Sequence, residues 1–232
     1  MKRLSVIIAH DQKRGNEDLN KTLLSVTHDL AAENWLYDSQ VIIETEGSKS
    51  ESRNKAVKRA NGEILLFLDS DVILRRGFLR QIMDLFYYHS VGVVGGVNVS
   101  IPGENKWEEI SSTLLSSPIF MFKSVARYTP RGRIRETNES EIIGCCMAIR
   151  KEAFLEAGGF PLDVIPCEEN VLIDRIQENG WKIIYNPYAI VYHKRAEFPG
   201  KYARKIFGYG MGRGIMLRKM GSAKMVWRPR FR

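Results

Sequence analysis

The chain has 232 residues, of which 44% are apolar and 27% charged, with a net charge of +8. Such a length supports one large α/β domain or two small ones, and the composition is ordinary for a soluble globular protein. Three cysteines, two of them adjacent (Cys145 and Cys146), make neither a disulfide framework nor a zinc site, which points to a reducing, cytoplasmic setting. No stretch approaches the roughly 20 apolar residues needed to span a bilayer, and the positive charge favours anionic partners.

Leu4-Ser5-Val6-Ile7-Ile8-Ala9 reads as a first strand, its apolar part too short for a signal peptide. A polar loop over residues 10–18 leads into a helix opening near Asn20, with Leu23, Val26, Leu30 and Ala31 on one face. Residues 40–43 form a second strand that ends in Glu44-Thr45-Glu46-Gly47-Ser48. Ser50 or Ser52 is expected to cap the next helix, which stops at Asn61-Gly62.

Next comes Ile64-Leu65-Leu66-Phe67-Leu68, an unbroken apolar run that halts at Asp69-Ser70-Asp71. A short all-apolar run is the mark of a strand buried on both faces. In extended chain residues i and i+2 point the same way, so Asp69 and Asp71 are expected to present both carboxylates at the strand's C-terminal end. Open α/β sheets bind ligands at that end, and paired oxygen ligands suit Mg or Mn. A solvated acidic turn is the competing reading of so short a motif. A helix over residues 77–88 and a fourth strand over 91–97 follow. Strand and helix thus alternate, which predicts a parallel sheet with helices on both faces. Neither G-x-G-x-x-G nor a Walker A pattern occurs after these strands, so dinucleotide binding and P-loop chemistry drop out.

The second half is less regular. Residues 105–117 form an amphipathic helix whose stripe of Trp107, Ile110 and Leu114 is expected to enter the core. Residues 128–141 are a polar loop, with Arg131, Arg133 and Arg135 reading as a solvated face. A strand over 144–149, a short helix over 151–157 and a helix over 168–179 with Gly180 as its C-cap come next. Two strands, 182–185 and 189–192, are expected on either side of Pro187. From Lys194 to the end there are twelve Lys or Arg and one acidic residue, Glu197. Residues 201–232 are therefore expected as a basic, aromatic segment following a body over 1–200. Three further groups can join the Asp69-Ser70-Asp71 end: Glu168-Glu169 at a helix N-terminus, where acidic residues also serve the helix dipole, His193 after a strand, and Arg53 near a helix start.

The order of these motifs resembles family 2 glycosyltransferases with a GT-A fold. The resemblance runs from Ser52-Arg53-Asn54-x-Ala56 through Gly62 to Asp71. It continues with Gly144 to Arg150, Phe154, Gly158-Gly159-Phe160-Pro161, Cys167-Glu168-Glu169, Gly180-Trp181-Lys182 and His193, covering residues 4–215. It implies a GT-A-like, Rossmann-type, mainly parallel sheet, with a nucleotide-binding half over 1–100 and an acceptor half over 101–200. The implied reaction is inverting transfer of a sugar from a nucleoside-diphosphate sugar to a hydroxyl or lipid-phosphate acceptor, glycan or polyprenyl-phosphate in type, with Mn or Mg as cofactor. Asp69, Asp71 and His193 inherit the metal and Glu169 the role of catalytic base. Ala9, Asp11, Glu44, Glu46, Arg53, Asp69 and Ser70 inherit the nucleotide and its diphosphate.

Two departures mark the chain: Ala9-His10-Asp11-Gln12-Lys13 replaces the family's Pro-x-Tyr-Asn-Glu, and Thr45-Glu46-Gly47-Ser48 replaces Asp-Asp-Gly-Ser. The Gln-x-x-Arg-Trp of processive synthases is absent, so single transfer is expected. The basic tail, with Lys201, Arg204, Lys205, Arg213 and Arg218, is expected to hold a phosphorylated lipid or to rest on the cytoplasmic face of a membrane. Nucleic acid is not expected as a partner. A noncatalytic nucleotide- or nucleic-acid-binding module and, behind it, a glycoside hydrolase using two carboxylates are the competing classes.

Overall fold

A computed structural model describes residues 2–33, 37–101, 105–164 and 166–220. The first strand, β1 (Lys2–Ala9), pairs in parallel with β2 (Tyr37–Glu44) on one side and β3 (Ile64–Asp69) on the other. The remaining strands are β4 (Val72–Leu74), β5 (Val91–Ser100), β6 (Arg135–Glu136), β7 (Cys146–Arg150) and β8 (Lys182–His193). They complete a mixed, mostly parallel sheet of order β2-β1-β3-β7-β5-β8-β4, with β6 also on β8.

Every apolar residue of β3 from Ile64 to Leu68 is buried, because both faces of the sheet are covered. On one face Leu4, Val6, Ile8, Leu66 and Leu68 pack with Val26 of α1 (Glu17–Glu33) and Ile82 of α3 (Phe78–Met83). On the other, Ile7, Leu65, Phe67 and Ile149 pack with residues of three helices. These are Val57 of α2 (Lys49–Arg59), Phe154 of α6 (Lys151–Glu156) and Leu172 of α7 (Glu168–Glu178). Alternate residues of β1 and β3 thus serve opposite cores, as the period-2 geometry of a strand requires.

The sequence expectation of a simple parallel run from β3 to β5 is corrected. β7 lies between them, antiparallel to both. Cys146, Met147, Ala148 and Ile149 are all fully buried, so β7 suits an interior position as well as β5 does; periodicity carries no information about which strand is the neighbour. The expected break at Pro187 is corrected too, since β8 runs through it. The β5–β8 register jumps from Gly95↔Tyr185 to Val97↔Ile190, and the missing proline N–H falls in that irregular stretch. A Cβ on Gly96 would lie 2.2 Å from the Ala189 carbonyl oxygen, so only glycine lets the two backbones meet there.

Local signals explain the helix starts. Ser48, rather than Ser50 or Ser52, caps α2, in a reciprocal capping box with Glu51; the two expected serines are buried inside the first turns. Asp29 of α1 accepts from the Gly77 and Leu79 amides at 2.6 and 2.8 Å, supplying α3 with the cap its own sequence lacks. Gly180 takes a φ of +94°, as its expected place beyond α7 requires. Asn105 caps α4 (Lys106–Leu115), which turns Ser111 and Leu115 inward while Trp107 is 53% exposed. The expectation that the Trp107 stripe enters the core is therefore overturned. After α5 (Pro118–Met121) the chain reaches α8 (Gly200–Met220), which packs on the segment before α7. A Cβ on Gly212 would lie 2.1 Å from the Pro166 oxygen, and Met216 is buried against Val164 and Val171. Residues 221–232, including Trp227 and Phe231, lie outside the described residues.

Candidate active site

The C-terminal ends of β1, β3, β5 and β8 open into one cleft of about 990 Å³, lined among others by Ala9, Asp69, Asn98 and His193. Lys205 and Tyr209 of α8 line it from a different element.

β3 ends at Asp69 and the chain then turns at Ser70 and Asp71, which corrects the expectation of extended chain through both carboxylates. The turn lets β4 pair antiparallel with β8, with Val72 opposite His193. That pairing sets Asp71 beside the imidazole, at 3.2 Å from Oδ1 to Nε2. One ligand atom from each of Asp69, Asp71 and His193 lies within 4.8 Å of the others. The turn and a strand pairing, not the i, i+2 rule, bring the two carboxylates together.

The donor set fits a divalent cation. His193 Nδ1 faces the Lys194 carbonyl, which only accepts, so Nδ1 carries the proton. Nε2 faces Asp71 Oδ1, to which the protonated ring donates, and it is the nitrogen that would ligate a bound cation in that proton's place. Burial acts to raise the Asp69 pKa, but Lys49 and Arg53 outweigh it and hold the carboxyl far below its ordinary range. Asp71 is likewise lowered: burial opposes, and the His193 hydrogen bond and charge prevail. Both groups are thus anionic ligands at neutral pH.

Arg53 lies beneath this centre and is 1% exposed. Its Nη2 donates to Asp69 Oδ1 at 3.1 Å and to the Gly144 oxygen at 2.9 Å, while Nη1 stands 3.6 Å from Glu168 Oε1. Its charge is balanced by two carboxylates. The guanidinium also lies 5.2 Å from the Phe160 ring.

Glu168 and Glu169 open α7 after Cys167, whose φ of +89° is unusual for a residue with a Cβ. The two carboxylates differ in setting. Glu168 is 6% exposed, and burial together with the neighbouring Glu169 charge raises its pKa against the pull of Arg53. Glu169 is half-buried and lines the cleft against Gly144, where an added Cβ would come 3.4 Å from Glu169 Cβ and from Arg53 Nη1.

Among the residues expected to hold the nucleotide, Ala9, Asp11, Arg53, Asp69 and Ser70 all line the cleft. Asp11 also caps a 3₁₀ turn by accepting from the Lys13 amide. Glu44 and Glu46 are placed otherwise. Glu44 is tied to Arg59 at 2.7 Å and to the amides of Thr45 and Glu46; Glu46 is exposed and pairs with Lys55 at 3.5 Å. Neither is among the residues lining the cleft, whereas Thr45 and Gly47 are. In the loop, Arg135 is not simply solvated: it pairs with Glu141 at 2.7 Å and covers the Tyr185 ring.

Several cleft residues escaped sequence reasoning. Lys49 contacts Asp69 at 2.7 Å and Arg14 lies 3.6 Å from Asp71. A second group joins Asn98, Cys145 and Arg195: Asn98 Nδ2 donates to Cys145 Sγ at 3.0 Å, and Arg195 Nη1 donates to Asn98 Oδ1 at 2.9 Å. Burial pushes the Cys145 thiol up to about 12. The one sequence signal for this group was an arginine two residues beyond His193.

The chain matches the family model described as Glycosyl transferase family 2 over residues 13–158. The chain belongs to glycosyl transferase family 2. It is 29% identical, over 194 residues, to the pre-mycofactocin glycosyltransferase of Mycobacterium tuberculosis, an alignment covering 76% of this chain. The chain spans 38% of that relative's length. Its fold is similar to that of the mannosyltransferase PcManGT from Pyrobaculum calidifontis, solved with GDP-Man and Mn2+. That similarity has a TM-score of 0.61 at 18% identity, covering 94% of this chain and 64% of the other. It is also similar to GalNAc-T7, solved with UDP, GalNAc and Mn2+, with a TM-score of 0.54 at 16% identity over 83% of this chain and 44% of the other. This member of glycosyl transferase family 2 therefore has the GT-A-type fold that the motif order implied. No helix among its described residues is long and apolar enough to cross a membrane.

Proposed function

We propose that this glycosyltransferase moves a sugar, with inversion, from a nucleoside-diphosphate sugar to an acceptor hydroxyl or lipid phosphate in a single transfer. One observation carries the reading: Asp69, Asp71 and His193 gather within 4.8 Å in the cleft that Glu169 also lines. The three residues would hold a divalent cation, which supplies Lewis-acid stabilisation of the negative charge on a departing nucleoside diphosphate. A set that includes imidazole favours Mn over Mg. The solved relatives' complexes with GDP-Man or UDP and Mn2+ support the same donor class.

The chain's own residues divide the remaining work. Arg53 and Lys49 fix the Asp69 carboxylate, and the Lys194 carbonyl fixes the His193 tautomer. Glu169, the more open of the paired glutamates, takes the proton from the attacking acceptor. Glu168, 3.6 Å from Arg53, helps seat that guanidinium beneath Asp69. Residues of α8 close the acceptor side, where exposed Phe207 and the basic Lys201 and Arg204 suit a lipid headgroup surface.

Thermal-shift titration with UDP and GDP, each with and without Mn, tests the site. One nucleotide should stabilise the chain only with the metal, by about 2.7 kcal/mol at a hundred times its dissociation constant, and Asp71→Ala should abolish the effect. Glu169→Gln should keep donor binding and lower turnover by about 10²- to 10⁴-fold. Full turnover in Glu169→Gln would remove it as the base. Steeply salt-dependent binding of DNA or RNA, with no response to nucleotide and Mn, would favour a binding module.

A further inference from the structure

Two buried arginines line the cleft, and their surroundings differ. Arg53 faces two carboxylates. Arg195 is 7% exposed and is held by neutral groups. Its Nε donates to Ser100 Oγ at 2.6 Å, Nη1 to Asn98 Oδ1 at 2.9 Å and Nη2 to the Asn98 carbonyl oxygen. The Tyr128 ring lies 5.2 Å from the guanidinium carbon. No carboxylate pairs with Arg195 among the described residues. The acidic groups that act on it most are the Tyr128 and Tyr209 hydroxyls and the Cys145 thiol, and all three stay neutral because burial raises them, Cys145 to about 12.

A guanidinium offers five N–H donors, of which these contacts use three. Buried charges are ordinarily paired, since an unpaired one is costly. The second observation comes from another element. Lys205 of α8 lines the same cleft and has no ion pair among the described residues. Lys205 is exposed, and Arg195 is among the charges that act on its ammonium. Asp69 reaches it from across the cleft, but Asp69 is already held by Lys49 and Arg53. Among the described residues, two cations therefore line one cleft with no carboxylate paired to either.

We propose that Arg195 and Lys205 form an anion subsite, separate from the Asp69–Asp71–His193 centre, that takes a phosphoryl group of a substrate. Asn98 aims the guanidinium, accepting two of its hydrogen bonds while its amide is anchored on Cys145. The assignment rests on the transferase reading for its context, and it names the chemistry of that reading's substrate: phosphoryl oxygens, supplied by the donor's diphosphate or by a phosphorylated acceptor.

Calorimetric titration of the full chain with inorganic phosphate, in EDTA and against chloride at matched ionic strength, tests it. Saturable binding is expected, weakened about tenfold or more in Arg195→Met and also weakened in Lys205→Ala. Repeating the titration with saturating nucleoside diphosphate and Mn separates the sources. Phosphate that still binds marks an acceptor subsite, and phosphate that is displaced marks the donor's diphosphate. Absence of saturable binding to the unaltered chain overturns the proposal, as does unchanged affinity in a folded Arg195→Met. If Arg195→Met does not fold, unchanged affinity in Lys205→Ala, altered at the cleft mouth, overturns it instead. Because EDTA removes the cation, Asp71→Ala should bind phosphate normally; a transferase reading that failed would leave this result standing.

Discussion

Arg53 shows how one side chain serves both stability and the site. It joins β3's terminal Asp69, the Gly144 carbonyl and Glu168 on α7, three segments far apart in sequence. Replacing it removes the only buried cation the two carboxylates share among the described residues, although Lys49 remains on Asp69. Breaking a buried pair by deleting one partner costs about 3–5 kcal/mol, and the partly exposed Asp69, whose side chain is 20% accessible, places Arg53→Met at the lower end. Urea denaturation of Arg53→Met and the unaltered chain measures it; a difference under about 1 kcal/mol would show the pairing to be incidental. At this scale sequence reading found the residue but not its partners within the protein. An arginine in a helix's first turns looks suited to a ligand anion, and only the packing of α2 against β3 and α7 shows that the protein itself supplies the anions.

At the scale of elements, the helix that joins the basic tail to the body is placed by glycine. Gly208 and Gly212 lie four residues apart on one face of α8, with Met216 continuing the row. A Cβ at 212 would meet the Pro166 carbonyl at 2.1 Å, so Gly212→Val should lift α8 from the segment before α7. The body's cores do not depend on that contact. Limited proteolysis should then cut within residues 200–220 sooner than in the unaltered chain, with little change in the main unfolding transition. Equal protease resistance would show that α8 is held by other contacts. The i, i+4 glycines were visible in the sequence, yet what they approach was not. The same holds for Trp107: its helix was legible, but which face turned inward depended on β5 and the segment after it.

Over the whole molecule, stability should follow pH through two groups that act in opposite senses. Asp69 has a folded pKa below its ordinary 3.8, so its contribution is present above that value and is lost as the pH falls through the folded one. Glu168 has a folded pKa above its ordinary 4.5; its contribution is full below that value and is lost as the pH rises through the folded one. The melting temperature should therefore gain from Glu168 protonation as the solution is mildly acidified, before Asp69 protonation lowers it. Glu168→Gln should lose the mild-acid gain and keep the steeper acid fall. Melting curves across that range, with identical shape in both proteins, would remove Glu168 from the account.

Local chemistry alone determined much of this protein. Runs such as Ile64 to Leu68 are apolar on every side, so they had to become strands covered on both faces. Glycine at 180 and the acidic pair at 69 and 71 marked where elements stop. The ordered series of motifs carried the family. What the tertiary structure decided were the neighbours. It put β7 between β3 and β5, turned the chain after Asp69 so that β4 could pair with β8, and thereby set His193 against Asp71. Among the described residues it also gave Arg53 two carboxylates and Arg195 none. Strand order, turns between strands and charge balance depend on groups distant in sequence, and periodicity reports only which side of an element is apolar.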